Sequence, residues 1–146
     1  MIHSRYDQLN LWTKEIISSL RLGNAKTITL EKVAGDASFR SYFRVWAGNH
    51  SFMVVDAPPE NEDGKSFENI CNLFQQAGLV VPKVHSADHQ RGFMLLDDLG
   101  DTLYLDALRD AQQLGQIEIV DGLYQKAIFS LLELQASEDK GILAPF

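Results

Sequence analysis

Cysteine occurs once in this chain, as Cys71. That excludes an internal disulfide and leaves no thiolate set for zinc. The histidines, His3, His50, His85 and His89, fall in no recognisable metal-ligand spacing. Positive charge is also scarce: 13 lysines and arginines face 20 acids, for a net charge of −7. Such a chain has no general attraction for nucleic acid or anionic membrane, so any anionic ligand must meet a local cluster of donors. No apolar run approaches the roughly 20 residues that span a bilayer. The start, "MIHSRYDQLNLW", lacks the basic and apolar regions of a signal peptide. These absences point to a reducing cytoplasm, with neither nucleic acid nor membrane as partner.

What remains has the composition of an ordinary globular domain, and 146 residues can bury a real core. Ser4 with Asp7 resembles a helix N-cap, and Leu9, Trp12, Ile16 and Leu20 recur at helical spacing. A helix over 4–22 is predicted, with Gly23 as its stop. Strands are predicted over 27–33, 41–47 and 51–57. Gly48-Asn49-His50 connects the second to the third, and Pro58-Pro59 ends the third. "ENEDG" reads as a charged loop before a helix over 65–77, whose face is marked by Phe67, Ile70, Cys71 and Phe74 and which Gly78 closes. Cys71 there reads as inert core. Two more strands, 83–87 and 93–97, flank the turn "DHQRG". A short helix (102–110) and a long one (117–135) follow. Closely spaced strands with hairpin-length links favour one antiparallel sheet, and so an α+β domain.

Three stretches carry candidate chemistry. "GDASFRSYFRV" (35–45) begins with small turn residues and ends as a strand holding Arg40 and Arg44. By itself it suits a structural hairpin. It also suits a phosphate loop, in which small residues let backbone N–H groups approach and Ser38 or Arg40 adds donors. It is not a Walker loop, which needs Gly-Lys-Ser/Thr leading into a helix. Glu68 is either a solvated carboxylate near a helix start or, in a kinase-like lobe, the acid that orients a basic group toward nucleotide phosphates. "FMLLDDLGD" (93–101) is either a loop closing a sheet or a strand edge that reads adenine before a hinge.

Taken in order, these segments follow the plan of a protein-kinase-like N-lobe. "GDASFRSYFRV", "VVDAPPENED", "FENI", "GLVVPKVHSADHQRGFMLLDDLGD" and "LYQKAIFSLLELQ" together resemble the aminoglycoside phosphotransferase family. Within it, they resemble bacterial kinases that phosphorylate the anomeric hydroxyl of N-acetylmuramate and N-acetylglucosamine in cell-wall sugar recycling. The resemblance implies a kinase-like N-lobe, with a five-stranded antiparallel sheet, a packed helix and an extra N-terminal helix, over 1–98. A hinge and the first helices of a truncated C-lobe would occupy 99–146. It implies ATP and Mg²⁺ as cofactors and an amino sugar as acceptor.

The ATP-binding residues it implies are Gly35, Asp36, Ala37, Ser38, Phe39 and Arg40 over the phosphates and Glu68 behind the nucleotide. Leu95, Leu96, Asp97 and Asp98 would lie beside adenine. Val55 stands near the place of the usual third-strand lysine, which "FMVVDA" lacks, and Arg40 or Arg44 would supply that charge instead. No Asn follows Asn72 and no His follows His89. The chain as given therefore lacks the Asp/Asn catalytic loop and the metal ligands of such an enzyme. It is expected to be inactive alone and to self-associate. The alternative is a non-catalytic nucleotide-binding or interaction module built on the same lobe.

Overall fold

The structure is a computed structural model that describes residues 4–25, 28–33 and 39–139. Its elements are α1 (Arg5–Ser19), β1 (Glu31–Lys32), β2 (Ser41–Ala47), β3 (His50–Asp56), α2 (Gly64–Gln76), β4 (Val84–Asp88), β5 (Phe93–Asp97), α3 (Tyr104–Gln113) and α4 (Ile117–Asp139). The strands form one antiparallel sheet in the order β1-β2-β3-β5-β4, giving the expected α+β architecture. The chain divides into two compact units, with breaks after Cys71, before Pro82 and after Asp98. The first holds α1, the sheet and the start of α2. The second holds the end of α2, α3 and α4.

In the first unit the two-residue period of the strands separates two apolar faces. Phe43, Val45, Phe52, Val54, Phe93 and Leu95 point to one side and pack with Leu9, Trp12 and Ile17 of α1. Val55, Met94 and Leu96 point to the other, where Tyr42, Met53 and Phe67 of α2 join them. β2 and β3 pair from Ser41↔Asp56 to Ala47↔His50, so Gly48 and Asn49 alone make the turn. Gly48 takes φ 71°, the conformation a two-residue hairpin asks of it.

α1 starts as expected. The Ser4 hydroxyl accepts from the Asp7 N–H at 3.1 Å, and the Asp7 carboxylate accepts from the Ser4 N–H at 3.2 Å. Its end is different. Arg21, not Gly23, takes the left-handed conformation (φ 55°), and the Leu22 N–H closes on the Ile17 carbonyl at 3.0 Å. Gly23 serves another purpose, since a Cβ there would lie 2.8 Å from Ala47. The buried stripe is also shifted, to Leu9, Trp12, Thr13 and Ile17, while Leu20 is exposed. Thr13 is tolerated inside because its hydroxyl donates to the Leu9 carbonyl at 2.8 Å.

The first strand is shorter than the expected 27–33. Ile28 and Leu30 are buried as their alternation requires, yet only Glu31–Lys32 pair in the ladder. Asp63 is not simply part of a charged loop. Its carboxylate accepts from the N–H groups of Lys65 (3.1 Å) and Ser66 (3.0 Å) and so caps α2. Gly78 ends that helix with φ 90°, and the Leu79 N–H returns to the Phe74 carbonyl. Ile70 lies outside the apolar stripe, exposed, while Cys71 is buried. Burial, then the Glu68 charge, pushes the Cys71 thiol up, which favours its neutral form.

Between β4 and β5, Gly92 sits at φ 73° with its carbonyl accepting from the Ala57 N–H at 2.8 Å. A Cβ there would fall 1.9 Å from the Ala57 oxygen, so no other residue fits without moving the backbone.

In the second unit α3 and α4 are joined through Gly115 (φ 66°), and the Tyr104 hydroxyl donates to the Leu123 carbonyl. Among the described residues no helix is long and apolar enough to cross a membrane.

Candidate functional site

The sheet face toward α2 carries two of the candidate arginines. Tyr42 and Arg44 of β2 stand on it opposite Val55 and Met53 of β3, which in turn stand opposite Met94 and Leu96 of β5. Arg40, just before β2, continues the same alternation, and its guanidinium lies 5.2 Å from the centre of the Phe67 ring. It is held there by Glu62, whose Oε2 accepts from Nε at 2.8 Å and from Nη2 at 2.8 Å. Burial works to lower the Arg40 pKa, but the hydrogen bonds and charges of Glu62 and Tyr42 outweigh it and hold the group above its ordinary value. The guanidinium is therefore a fixed cation, partly shielded from water.

Arg44 is engaged differently. Its Nε and Nη2 donate to Oδ2 and Oδ1 of Asp98 at 2.6 and 3.0 Å, and the Asp98 side chain is only 4 % exposed. This fork-on-fork pairing fixes the chain as it leaves β5.

The expected site residues thus fall into groups. Gly35, Asp36, Ala37 and Ser38 lie outside the described residues. Phe39 is exposed, and Arg40 stands near Tyr42 and Phe67. Val55 is buried on this face beside Leu96 and Met94. The Glu68 carboxylate is hydrogen-bonded to the His89 ring at 2.8 Å. Leu95 points to the opposite face, into the core under α1. Asp97 accepts from the Lys83 N–H at 3.0 Å and contacts the His85 ring at 2.7 Å.

Glu62 was not legible as part of a site. The alternation of Arg40, Tyr42 and Arg44 on one strand face was the available signal, because a half-buried arginine calls for an acid nearby. Concave surface occurs at the α3–α4 turn, where hollows of about 220 and 410 Å³ share Gly115, Gln116 and Ile117. Neither gathers several charged groups. Among the described residues no three His, Cys, Asp or Glu side chains cluster to hold a metal ion.

No family model matches the chain. It is, however, similar to curated proteins that are named as kinases. In particular, the N-acetylmuramate/N-acetylglucosamine kinase of Pseudomonas putida is 38 % identical over 135 residues, covering 90 % of this chain and 38 % of that protein. The protein of the same name from Pseudomonas aeruginosa is 34 % identical over 147 residues, covering 98 % and 41 %. That of Neisseria meningitidis is 35 % identical over 114 residues, covering 77 % and 33 %. The chain spans about two fifths of the length of the first two.

Proposed function

We propose that this chain is the ATP-binding N-terminal part of a sugar kinase in the aminoglycoside phosphotransferase family, with a protein-kinase-like fold. The intact enzyme would act in the cytoplasm on N-acetylmuramate or N-acetylglucosamine released from the cell wall. The sugar's anomeric hydroxyl oxygen would attack the γ-phosphorus of ATP, the bond from that phosphorus to the β–γ bridging oxygen would break with ADP leaving, and the hydroxyl proton would be released, giving a sugar 1-phosphate. The observation that carries this reading is similarity along 90 % and 98 % of the chain to proteins bearing that name.

The geometry supports it. In this reading residues 1–98 form the N-lobe and 99–146 begin the second lobe. The nucleotide lies against the face of Tyr42, Val55 and Leu96, with Gly35–Arg40 over its phosphates and the end of β5, through Asp98, beside adenine. Glu68 stands behind it. Phosphoryl transfer depends on positioning and charge neutralisation, so an oriented acceptor and Mg²⁺ are also needed. Mg²⁺ chemistry would come from ligands outside the residues described.

The test is ATP consumption by the full-length protein carrying these residues, with Mg²⁺ and either sugar. Sugar-dependent ADP release is expected, with none from the 1-O-methyl glycosides, whose anomeric oxygen is blocked. Equal ADP release with and without sugar would overturn the reading. Residues 1–146 alone should give no turnover above a no-protein control.

A further inference from the structure

In the nucleotide reading Val55 stands near the place of a third-strand lysine, and two arginines flank it on the same face. Val55 is paired with Tyr42, and Arg40 and Arg44 stand two residues to either side of Tyr42. Their partners separate their roles. Arg44 gives two donors to two oxygens of a carboxylate that is almost wholly buried. Such a pair resists opening, because an almost wholly buried carboxylate would lose its two-pronged partner. Arg40 gives two donors to a single oxygen, Oε2 of Glu62, and also engages Tyr42; its side chain is 24 % exposed against 17 % for Arg44, and that of Glu62 12 % against 4 % for Asp98.

Glu62 is itself well placed to aim this group. Its N–H donates to the Pro58 carbonyl at 3.0 Å, and the next residue, Asp63, caps α2. A carboxylate anchored on both sides can fix the plane of a guanidinium, whose donors form a rigid fork. The Phe67 ring backs the same group.

We propose that Arg40, aimed by Glu62 and backed by the Phe67 ring, supplies the positive charge on nucleotide phosphates that the missing third-strand lysine would supply. Glu62 is then a positioning residue, and it takes the orienting role expected of Glu68, which is bonded to His89. Arg44 fixes the end of β5 through Asp98. This inference rests on the nucleotide reading above.

The experiment compares the affinities of ATP and adenosine for the full-length protein without sugar, by calorimetry, because their ratio isolates the phosphates from the base. The wild type should prefer ATP. Arg40→Ala should weaken ATP at least about tenfold while adenosine changes less than about twofold. Arg40→Lys should keep part of the preference. Glu62→Gln gives the sharpest readout. If Glu62 only neutralised Arg40, removing its charge would leave ATP binding equal or tighter; as a positioning residue, its loss weakens ATP several-fold. Arg5→Gln, which breaks the pair with Asp56 on the other face, controls for general loosening and should leave the ratio unchanged. An ATP preference that survives Arg40→Ala, or ATP binding unweakened in Glu62→Gln, overturns the inference alone. A wild type that binds neither ligand overturns the nucleotide reading and this inference with it.

Discussion

The unit built on the sheet covers its apolar side chains on both faces, whereas the unit holding α3 and α4 leaves most of its own uncovered. In the first, Leu9, Ile17, Val45, Val54, Val55 and Phe93 are all at most 1 % exposed. In the second, the buried ones among the described residues are small, namely Ala77, Ala111 and Ser137, while Ile128, Phe129, Leu131 and Leu132 are each more than half exposed. The difference lies in the sequence pattern. α1 and α2 each have an apolar stripe that one sheet face can cover. α4 is apolar on several sides, and a helix of that kind is normally enclosed by more than one neighbour. The apolar side chains of the first unit's sheet are therefore enclosed, and those along α4 lie open.

The comparison breaks most readily at Phe93. Its side chain is fully buried, with Trp12 at 5.8 Å and the guanidinium groups of Arg5 and Arg91 at 5.0 and 5.4 Å from its ring. Phe93→Ala removes the ring and leaves a cavity, so it should cost about 3–5 kcal/mol and lower the melting temperature more than any change discussed below. A chemical-denaturation loss under about 1 kcal/mol would mean that the core of the sheet unit is not what holds it.

How much of this was legible in the sequence follows the same division between regular and irregular features. The alternation in "SYFRVWA" and "SFMVVDA" gave two strands and their faces, because one-residue periodicity errors would have turned every core residue outward. The glycine at 78 and the prolines at 58 and 59 marked ends correctly, since each excludes continuation. The end of α1 was missed because a non-glycine residue, Arg21, adopts φ 55° there. Thr13 was missed as a core residue because its hydroxyl is satisfied by its own helix. At the site, both arginines were visible but their partners were not: Glu62 is 22 residues from Arg40, and Asp98 is 54 from Arg44. Such pairings depend on register and on loop paths, which no local pattern encodes.

The exposed helix sharpens the comparison from the other side. Phe129→Glu places a charge where the side chain is already 64 % exposed. Surface changes of this kind usually stay within about 0.5 kcal/mol, so the fold should hold. We expect the 146-residue chain to self-associate through the apolar faces of α3 and α4 and the variant to do so less, as measured by sedimentation velocity across a concentration series. Destabilisation comparable with that of Phe93→Ala would show that α4 is buried after all. An unchanged sedimentation profile would exclude this face from association.

The smallest effect concerns Asp63, where the sheet unit's second face depends on how α2 begins. The Ser66 hydroxyl and then the Ser66 N–H hold its carboxylate below the ordinary carboxylate range, with the Lys65 N–H adding to this. A carboxyl whose pKa is lower folded than unfolded stabilises the fold above its unfolded value. That contribution fades as pH falls from about the ordinary 3.8 through the lower folded value, where both states become protonated. Asp63→Asn keeps an oxygen able to cap but cannot carry the charge. The melting temperature of the wild type should therefore exceed that of Asp63→Asn at neutral pH, by less than the Phe93→Ala shift, and the two should converge as pH drops below that range. Because the side chain is exposed, added salt should narrow the neutral-pH gap as well. A gap that stays constant from pH 7 to the acid limit would assign the cap to neutral hydrogen bonding alone, with no part for the carboxylate charge.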